Sequence, residues 1–221
     1  DKEGFCSVIM EGRGIPAKGA FPGSFSYGND AVETVSYDPE EAKKLLEESG
    51  WTDTDGDGYV DKDGQKLTIN WLTYPTRLEQ PKLAEYAQAT LKEIGIDVSV
   101  NNTSDHRTYA ENGEFDVYVS SLTTAPTGDP EYFFSSTVTG SKNYGNYQND
   151  EVTKLTEQLH QTFDTDERGK LAVELQQKIL DDDAYFFVSH LNMGIVTKAN
   201  VTGMVAHPCD YYEITADLDV Q

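Results

Sequence analysis

Histidine and cysteine are scarce in this sequence, so few residues are available as metal ligands or redox-active groups. Four histidines stand singly along the chain, at His106, His160, His190 and His207. None has a partner at the spacing of a zinc site, so each is interpreted as a surface or structural residue. The two cysteines, Cys6 and Cys209, lie near opposite ends of the chain without a CxxC motif. The sequence therefore excludes a zinc ribbon and a thioredoxin-like site, while a disulfide and two unpaired thiols both stay open.

Basic residues are few relative to acidic residues, and long apolar runs are absent from the sequence. The chain has 17 basic against 39 acidic residues, which gives a net charge of -22 at pH 7. Such a charge repels nucleic-acid phosphates and anionic lipid surfaces, so we expect no nucleic-acid partner. No stretch approaches the roughly 20 apolar residues that a membrane-spanning helix needs. The 221 residues suffice for one large domain or for a domain with an appendage.

The local motifs of common enzymes are missing as well. The sequence contains no GxSxG elbow, no HExxH and no GxxxxGK followed by Ser or Thr. Acidic residues are so numerous that a pair of carboxylates converging in space stays open as an alternative. The main expectation is that the chain is not an enzyme.

Residue patterns from Asp38 to residue 120 alternate between helical and strand periodicity. Asp38, Pro39 and Glu41 form a helix start, and Gly50 ends that helix. The patterns then predict, in order, a strand at 67–73, a helix at 83–94, a strand at 96–100, a helix at 105–112 and a strand at 115–120. This succession favours parallel strands joined by right-handed crossovers, and hence an α/β fold.

The flanking segments show other patterns. Residues 19–37 are rich in Gly, Ser, Phe and Tyr without periodicity, which indicates a long loop packed over a neighbouring surface. Helices are expected at 152–159 and after Asp164, whose cap is completed by Glu167. Segments 185–188 and 193–197 are predicted as closing strands.

The segment after the third predicted strand is the best candidate for a binding loop. Residues 122–128 are small or polar and include Pro126, and Asp129 with Pro130 restarts a helix. In open α/β sheets, ligands bind beyond the carboxyl ends of strands. Asp129 also suits a structural role, as the cap of the helix that Pro130 begins.

An acidic loop near residue 57 resembles a calcium-binding sequence. Asp53, Asp55, Asp57 and Asp61 supply oxygens at the D-x-D-x-D-G-x-x-D spacing, and Tyr59 offers its carbonyl. Gly64 stands where an EF-hand has its twelfth-position Glu, so the EF-hand itself is rejected. A structural calcium ion and a solvated acidic turn both stay open, and no cofactor is required for function.

The order of several motifs resembles the family 5 extracellular solute-binding proteins, which deliver peptides or nickel to ABC importers. These motifs are GRGIPAKGAFP, YDPEEAKKLLEESGWTDTDGDGYVDKDG, LAEYAQATLKEIGIDVSV, FDVYVSSLTTAPTGDPEYFF and DERGKLAVELQQKILDDDAYFFVSH. The resemblance implies a lobe of the periplasmic-binding-protein type II architecture, with a mixed, mostly parallel sheet flanked by helices. It also implies an extracytoplasmic location, in a periplasm or on a cell surface as a lipoprotein.

The same resemblance implies a division of the chain and a set of partners. Residues 1–37 are expected to be a remnant of a first lobe and hinge, 38–205 the second lobe, and 206–221 a return segment. A missing N-terminal lobe would supply the other wall of the ligand cleft, so the isolated lobe should bind weakly or not at all. The expected partners are this lobe, a peptide or metal-chelate ligand, and an ABC permease in the membrane.

The resemblance also implies where the ligand contacts lie. The cleft loop corresponds to 123–129, where the candidate residues are Thr123, Thr124, Ala125, Thr127 and Asp129. Tyr144, Asn146 and Tyr147 are further candidates for the wall of the site. Alternatives are a sensory or chaperone-like domain of the same fold, or a hydrolase with two buried acids of raised pKa facing one pocket.

Overall fold

The computed structural model describes residues 1–206 and 214–221. The chain forms two compact units: the first unit is Asp1–Glu11 with Val35–Ser121, and the second unit is Gly12–Thr34 with Leu122–Gln221. The expected division at residues 37 and 205 stays a prediction. His207 and Cys209 lie outside the described residues, and so does the pairing of Cys209 with the buried Cys6.

The first unit is built on a parallel sheet. Its three strands are Asp97–Asn102, Thr68–Thr73 and Val117–Tyr118, with Thr68–Thr73 in the centre. Thr68 pairs with Asp97 at one end of the long ladder, and Thr73 pairs with Asn102 at the other. The short strand pairs through Trp71 and Val117. The predicted α/β fold with parallel strands is therefore confirmed.

Helices accompany this sheet in the first unit. They are Lys2–Gly4, which continues as a π-helical turn Phe5–Ile9, then Pro39–Glu48, Glu79–Lys92 and His106–Glu111. The predicted cap at Asp38 is confirmed, since its Oδ1 accepts from the backbone N–H of Glu41 at 3.0 Å. Helix Glu79–Lys92 begins four residues before the predicted position 83, because Pro81 is tolerated in a first turn.

The second unit buries an aromatic core. Phe21 and Phe134 are fully buried, and the ring of Phe21 packs against those of Phe133 and Tyr27. The non-periodic segment near residue 21 thus buries its aromatic side chains, as the sequence predicts for a packed loop. Leu175, on a neighbouring helix, belongs to the same core.

Helical elements surround this core, and the two long ones are capped by side chains. The second unit contains Asn29–Ala31 as a short 3-10 turn, Glu131–Phe133 continuing as a π-helical turn Phe134–Val138, Asp150–Gln161 and Thr165–Asp181. Asp164 Oδ1 accepts from the backbone N–H groups of Asp166 and Glu167, which confirms the predicted helix start. None of the described helices has the length and apolarity needed to cross a bilayer.

The closing strands of the second unit differ from the prediction. The strands observed are Gly14–Pro16 paired antiparallel with Ser189–Leu191, and Val201–Thr202 paired antiparallel with Asp219–Val220. The strands predicted at 185–188 and 193–197 are therefore wrong. The rings of Tyr185 and Phe187 stack on one another and pack against Phe133, so this segment serves the core rather than a ladder.

Candidate functional site

The predicted binding loop, 123–129, belongs to the second unit and is tied to its interior. Thr124 donates a hydrogen bond from Oγ1 to the carbonyl of Ala20 at 2.9 Å, and Ala125 is buried. Gly128 donates its N–H to the carbonyl of Ala125 at 3.0 Å and has a φ of 81°, a conformation that favours glycine. Thr123 and Thr127 lie at the surface. The loop is thus a compact turn with two exposed threonines.

Asp129 closes this loop through an ion pair with Arg168. The guanidinium donates from Nε to Asp129 Oδ2 at 2.8 Å and from Nη2 to Asp129 Oδ1 at 2.6 Å. Asp129 Oδ1 also accepts from the backbone N–H of Glu131 at 2.9 Å. The carboxylate therefore holds the start of the helix that follows Pro130, which is the structural role that the sequence offered as an alternative.

Arg168 makes further contacts around the same point. It donates from Nη2 to Glu131 Oε2 at 2.9 Å, and from Nη1 to the carbonyls of Leu159 and Thr162. An arginine side chain has five N–H donors, and each has an acceptor here. Its side chain is only 13% exposed. Arg168 therefore joins the end of the loop to the turn between helices Asp150–Gln161 and Thr165–Asp181.

These contacts set the ionisation of the two acids. Burial favours the neutral form of Asp129, but the Arg168 and Glu131 hydrogen bonds outweigh it and hold the pKa of Asp129 below its ordinary value. Burial likewise opposes ionisation of Glu131, yet hydrogen bonds from His160 and Arg168 lower its pKa. His160 Nδ1 lies 2.7 Å from Glu131 Oε1. A hydrolytic pair would need one acid of raised pKa, and these two neighbouring acids have lowered values.

The predicted wall residues near 145 lie in a turn of the second unit. Asn143 fixes this turn, since its side chain donates to the carbonyl of Tyr147 and accepts from the N–H of Tyr147. Asn146 is exposed and has a φ of 51°. The hydroxyl of Tyr147 donates to Asp182 Oδ2, so this group is engaged inside the unit. Tyr144 is half-buried in the same turn, and a ligand-contacting role for the three residues stays a prediction.

Two residues important for the loop were not predicted. Tyr27 donates from its hydroxyl to the carbonyl of Gly128 at 2.8 Å, and Arg168 binds Asp129. Both act across long sequence separations, so no local pattern indicates either contact. The signal that exists is weak: Tyr27 belongs to the aromatic segment expected to pack, and Arg168 follows the cap at Asp164.

The acidic loop of the first unit brings together some of its predicted calcium ligands. Carboxylate oxygens of Asp53, Asp55 and Asp61 lie within 4.8 Å of one another. Asp53 also accepts from the backbone N–H groups of Gly56 and Gly58, which shapes the loop. This set of carboxylates fits the oxygen chemistry that calcium prefers.

Asp57 and Tyr59 are engaged differently. The Asp57 carboxylate pairs with the Lys66 ammonium, whose hydrogen bond lowers the pKa of Asp57. Lys66 Nζ also lies 4.1 Å from the centre of the Tyr59 ring. The side chain of Asp57 therefore does not fit a calcium site in this arrangement, while calcium binding by the other acids stays a prediction.

Known proteins similar to this chain include peptide and nickel binders. Residues 1–145 match the family described as bacterial extracellular solute-binding proteins, family 5 Middle. The oligopeptide-binding protein AppA of Bacillus subtilis is 32% identical over 97% of this chain and 41% of its own length. The nickel-binding periplasmic protein of Escherichia coli is 29% identical over 80% of this chain and 35% of its own length. The chain thus spans about two fifths of the length of these relatives.

The solved structures extend this similarity to the fold. The structure of AppA from Bacillus subtilis in complex with a nonapeptide matches with a TM-score of 0.78 and 27% identity. The match covers 95% of this chain and 43% of that chain. With the parallel sheet of the first unit, it defines the architecture as that of a periplasmic binding protein. The chain belongs to the bacterial extracellular solute-binding proteins of family 5.

Proposed function

We propose that the protein containing this chain captures peptides outside the cytoplasm and delivers them to an ABC-type permease. This chain supplies one wall of the ligand cleft, and a further lobe supplies the other. The proposal is supported by the family, whose description is extracellular and solute-binding, and by the similarity to an oligopeptide-binding protein. It assigns the chain a binding role without catalysis.

The single observation that carries the choice of peptide is the chemistry of the loop 123–129. Asp129 is the only ionisable residue in this loop, and Arg168 already neutralises it. What the exposed part offers is the Thr127 hydroxyl and backbone groups. Such groups suit the amides of a peptide, whereas direct nickel ligation calls for imidazole, thiolate or free carboxylate.

A nickel chelate is the second candidate, and the similarity to the Escherichia coli nickel-binding protein favours it. In that case the chelating molecule would fill the coordination sphere of the metal, and the protein would bind the chelate through its outer polar groups. The two candidates therefore differ in the ligand that should co-purify with the protein: a peptide alone, or nickel with a small chelator.

The experiment is native mass spectrometry of the full-length protein, purified without denaturation and analysed before and after unfolding and refolding. A peptide proposal predicts added masses that fragment as amino-acid sequences and disappear after refolding. Adding a library of random nonapeptides should restore them, and adding nickel with L-histidine should not. Restoration by nickel and histidine alone would favour the second candidate, and restoration by neither would contradict a solute-binding role for peptides and nickel.

A further inference from the structure

Arg168 uses all five of its N–H donors in contacts within the second unit. Lys170, on the same helix, pairs with one exposed acid, Glu167, at 2.7 Å. Arg168 instead binds Asp129, Glu131 and two backbone carbonyls, while its side chain stays mostly buried. No donor is left for a ligand, so Arg168 can influence binding only through the groups that it holds.

The group that it holds most firmly is the end of the candidate loop. Two parallel hydrogen bonds, from Nε and Nη2, fix both oxygens of Asp129 in one plane. Asp129 is adjacent to Gly128, whose carbonyl is fixed by Tyr27. The position of the loop backbone at this point is therefore set by internal contacts and requires no ligand.

Arg168 lies in the first turn of a helix that packs into the core of the second unit. Helix Thr165–Asp181 buries Leu171, Leu175 and Ile179 in the core of the second unit. Its start is capped by Asp164, which accepts from the N–H of Glu167 at 3.0 Å. A side chain in the first turn of such a helix can restrict the motion of a loop when it binds that loop in a fixed geometry.

We propose that Arg168 is a positioning residue for the binding loop 123–129: through its two-point contact with Asp129 it holds Thr127 and Gly128 ready for the solute. Asp129 is then an anchor of the loop and not a ligand contact. The predicted effect on ligand affinity rests on the proposed function, because it requires that the loop binds a solute. The effect on loop mobility does not depend on that function.

The contact cannot be replaced by another cation. A lysine at 168 keeps the positive charge, but its ammonium is a compact group that cannot match both carboxylate oxygens and two carbonyls in one plane. Arg168→Lys is therefore expected to loosen the loop while it retains most of the electrostatic attraction. Asp129→Asn keeps the shape of the side chain and removes the charge, so it serves as the second variant should Arg168→Lys fold poorly.

The first arm of the experiment needs no ligand. Amide hydrogen exchange of the full-length protein is measured for residues 123–131, with residues 171–180 and 79–92 as internal references. Arg168→Lys and Asp129→Asn should each speed exchange in 123–131 by about tenfold or more, since charge-assisted hydrogen bonds are lost. Exchange in the two reference segments should stay within about twofold of the wild type, and the control Lys170→Ala should leave all three segments unchanged. Equal acceleration in 123–131 and 171–180 would show a general structural role and overturn the proposal.

The second arm measures the affinity for a nonapeptide isolated from the random library. Each single variant should weaken binding by about tenfold, and the double variant should be little weaker than either one, because both remove the same contact. A direct ligand contact by Asp129 would instead make Asp129→Asn weaken binding further in the Arg168→Lys background, which would overturn the assignment. Absence of any binding by the wild type would count against the proposed function, while the exchange arm would still decide whether Arg168 positions the loop.

Discussion

The fully buried side chain of Gln176 accepts a hydrogen bond from the backbone N–H of Ala20 at 3.0 Å. Its amide also donates to the carbonyl of Tyr27 at 2.7 Å, so one side chain satisfies two backbone groups of the packed segment. Gly19 makes the approach feasible, since a Cβ there would lie 2.6 Å from Gln176 Oε1. The aromatic loop of the second unit is thus held by a polar contact within an apolar core.

Gln176→Leu is expected to lower the free energy of unfolding of the second unit by about 2–4 kcal/mol. The substitution leaves the Ala20 N–H and the Tyr27 carbonyl without their partner in a buried environment, and each such group costs about 1–3 kcal/mol. Amide hydrogen exchange in helix Thr165–Asp181, measured as a function of urea concentration, gives the stability of the second unit.

Gln177→Leu is the matched control for this prediction. Gln177 also bonds a backbone N–H, that of Glu33, but at an exposed position where water can replace it. Its effect should stay below about 1 kcal/mol. Equal losses for the two variants would contradict the importance of the buried contact.

Asp164→Ala should cost about 1 kcal/mol of stability. The side chain of Asp164 accepts from two backbone N–H groups at the start of helix Thr165–Asp181, and alanine leaves both without that acceptor. Asp164→Asn should retain most of the stability, since an amide oxygen can cap in the same way. Thermal unfolding by circular dichroism distinguishes the two variants, and identical melting temperatures for them would contradict the cap.

The stability advantage of wild type over Asp129→Asn should depend on pH. Arg168 and the backbone hold the pKa of Asp129 below its ordinary value of about 4. The ion pair therefore contributes fully above about pH 5 and loses its contribution as the pH falls through the depressed pKa in the folded state. At low pH a protonated Asp129 resembles asparagine.

The measurement is urea unfolding of both proteins from pH 7 to pH 2. The difference in unfolding free energy should be constant down to about pH 5 and shrink below it. Since the Asp129 side chain is 41% exposed, the difference at neutral pH is screened and should decrease with added salt. A difference that stayed constant down to pH 2 would contradict the ion pair.

A structural calcium ion and a solvated acidic turn both stay open for the acidic loop, and calcium should raise the melting temperature of the first unit only in the first case. The test compares calcium with a chelator for wild type, Asp61→Asn and Asp63→Asn. Asp61 belongs to the group of close carboxylates, whereas Asp63 is outside that group and serves as the control. The shift should vanish in Asp61→Asn and persist in Asp63→Asn; no shift in the wild type would leave the loop as a solvated acidic turn.

The sequence predicts local structure well in this chain because local signals are strong. The caps at Asp38 and Asp164 and the alternation near Trp71 all lie within a few residues of the elements that they determine. The strand Ser189–Leu191 was missed because its partner, Gly14–Pro16, is remote in sequence and because the aromatic residues just before it resemble a strand pattern.

The candidate site was only partly predictable, because its main contacts join residues that are remote in sequence. The small and polar residues after the third strand indicated the loop, but its anchors lie far away in sequence. Arg168 and Asp129 are 39 positions apart, and Tyr27 and Gly128 are 101 positions apart. Periodicity and capping cannot indicate such pairs: the sequence favoured a structural role for Asp129, as a helix cap, over a ligand contact, but it did not indicate Arg168 as the partner of Asp129.

The central claim, that the loop 123–129 contacts a peptide, is tested most directly by site-specific photocrosslinking in the full-length protein. A benzophenone amino acid replaces Thr127, and in a separate variant Thr153, which is exposed on helix Asp150–Gln161. With the bound nonapeptide and irradiation, position 127 should give a covalent adduct that unlabelled peptide competes away, and position 153 should give none. Equal labelling at both positions, or no labelling at 127 while the peptide binds, would contradict the claim.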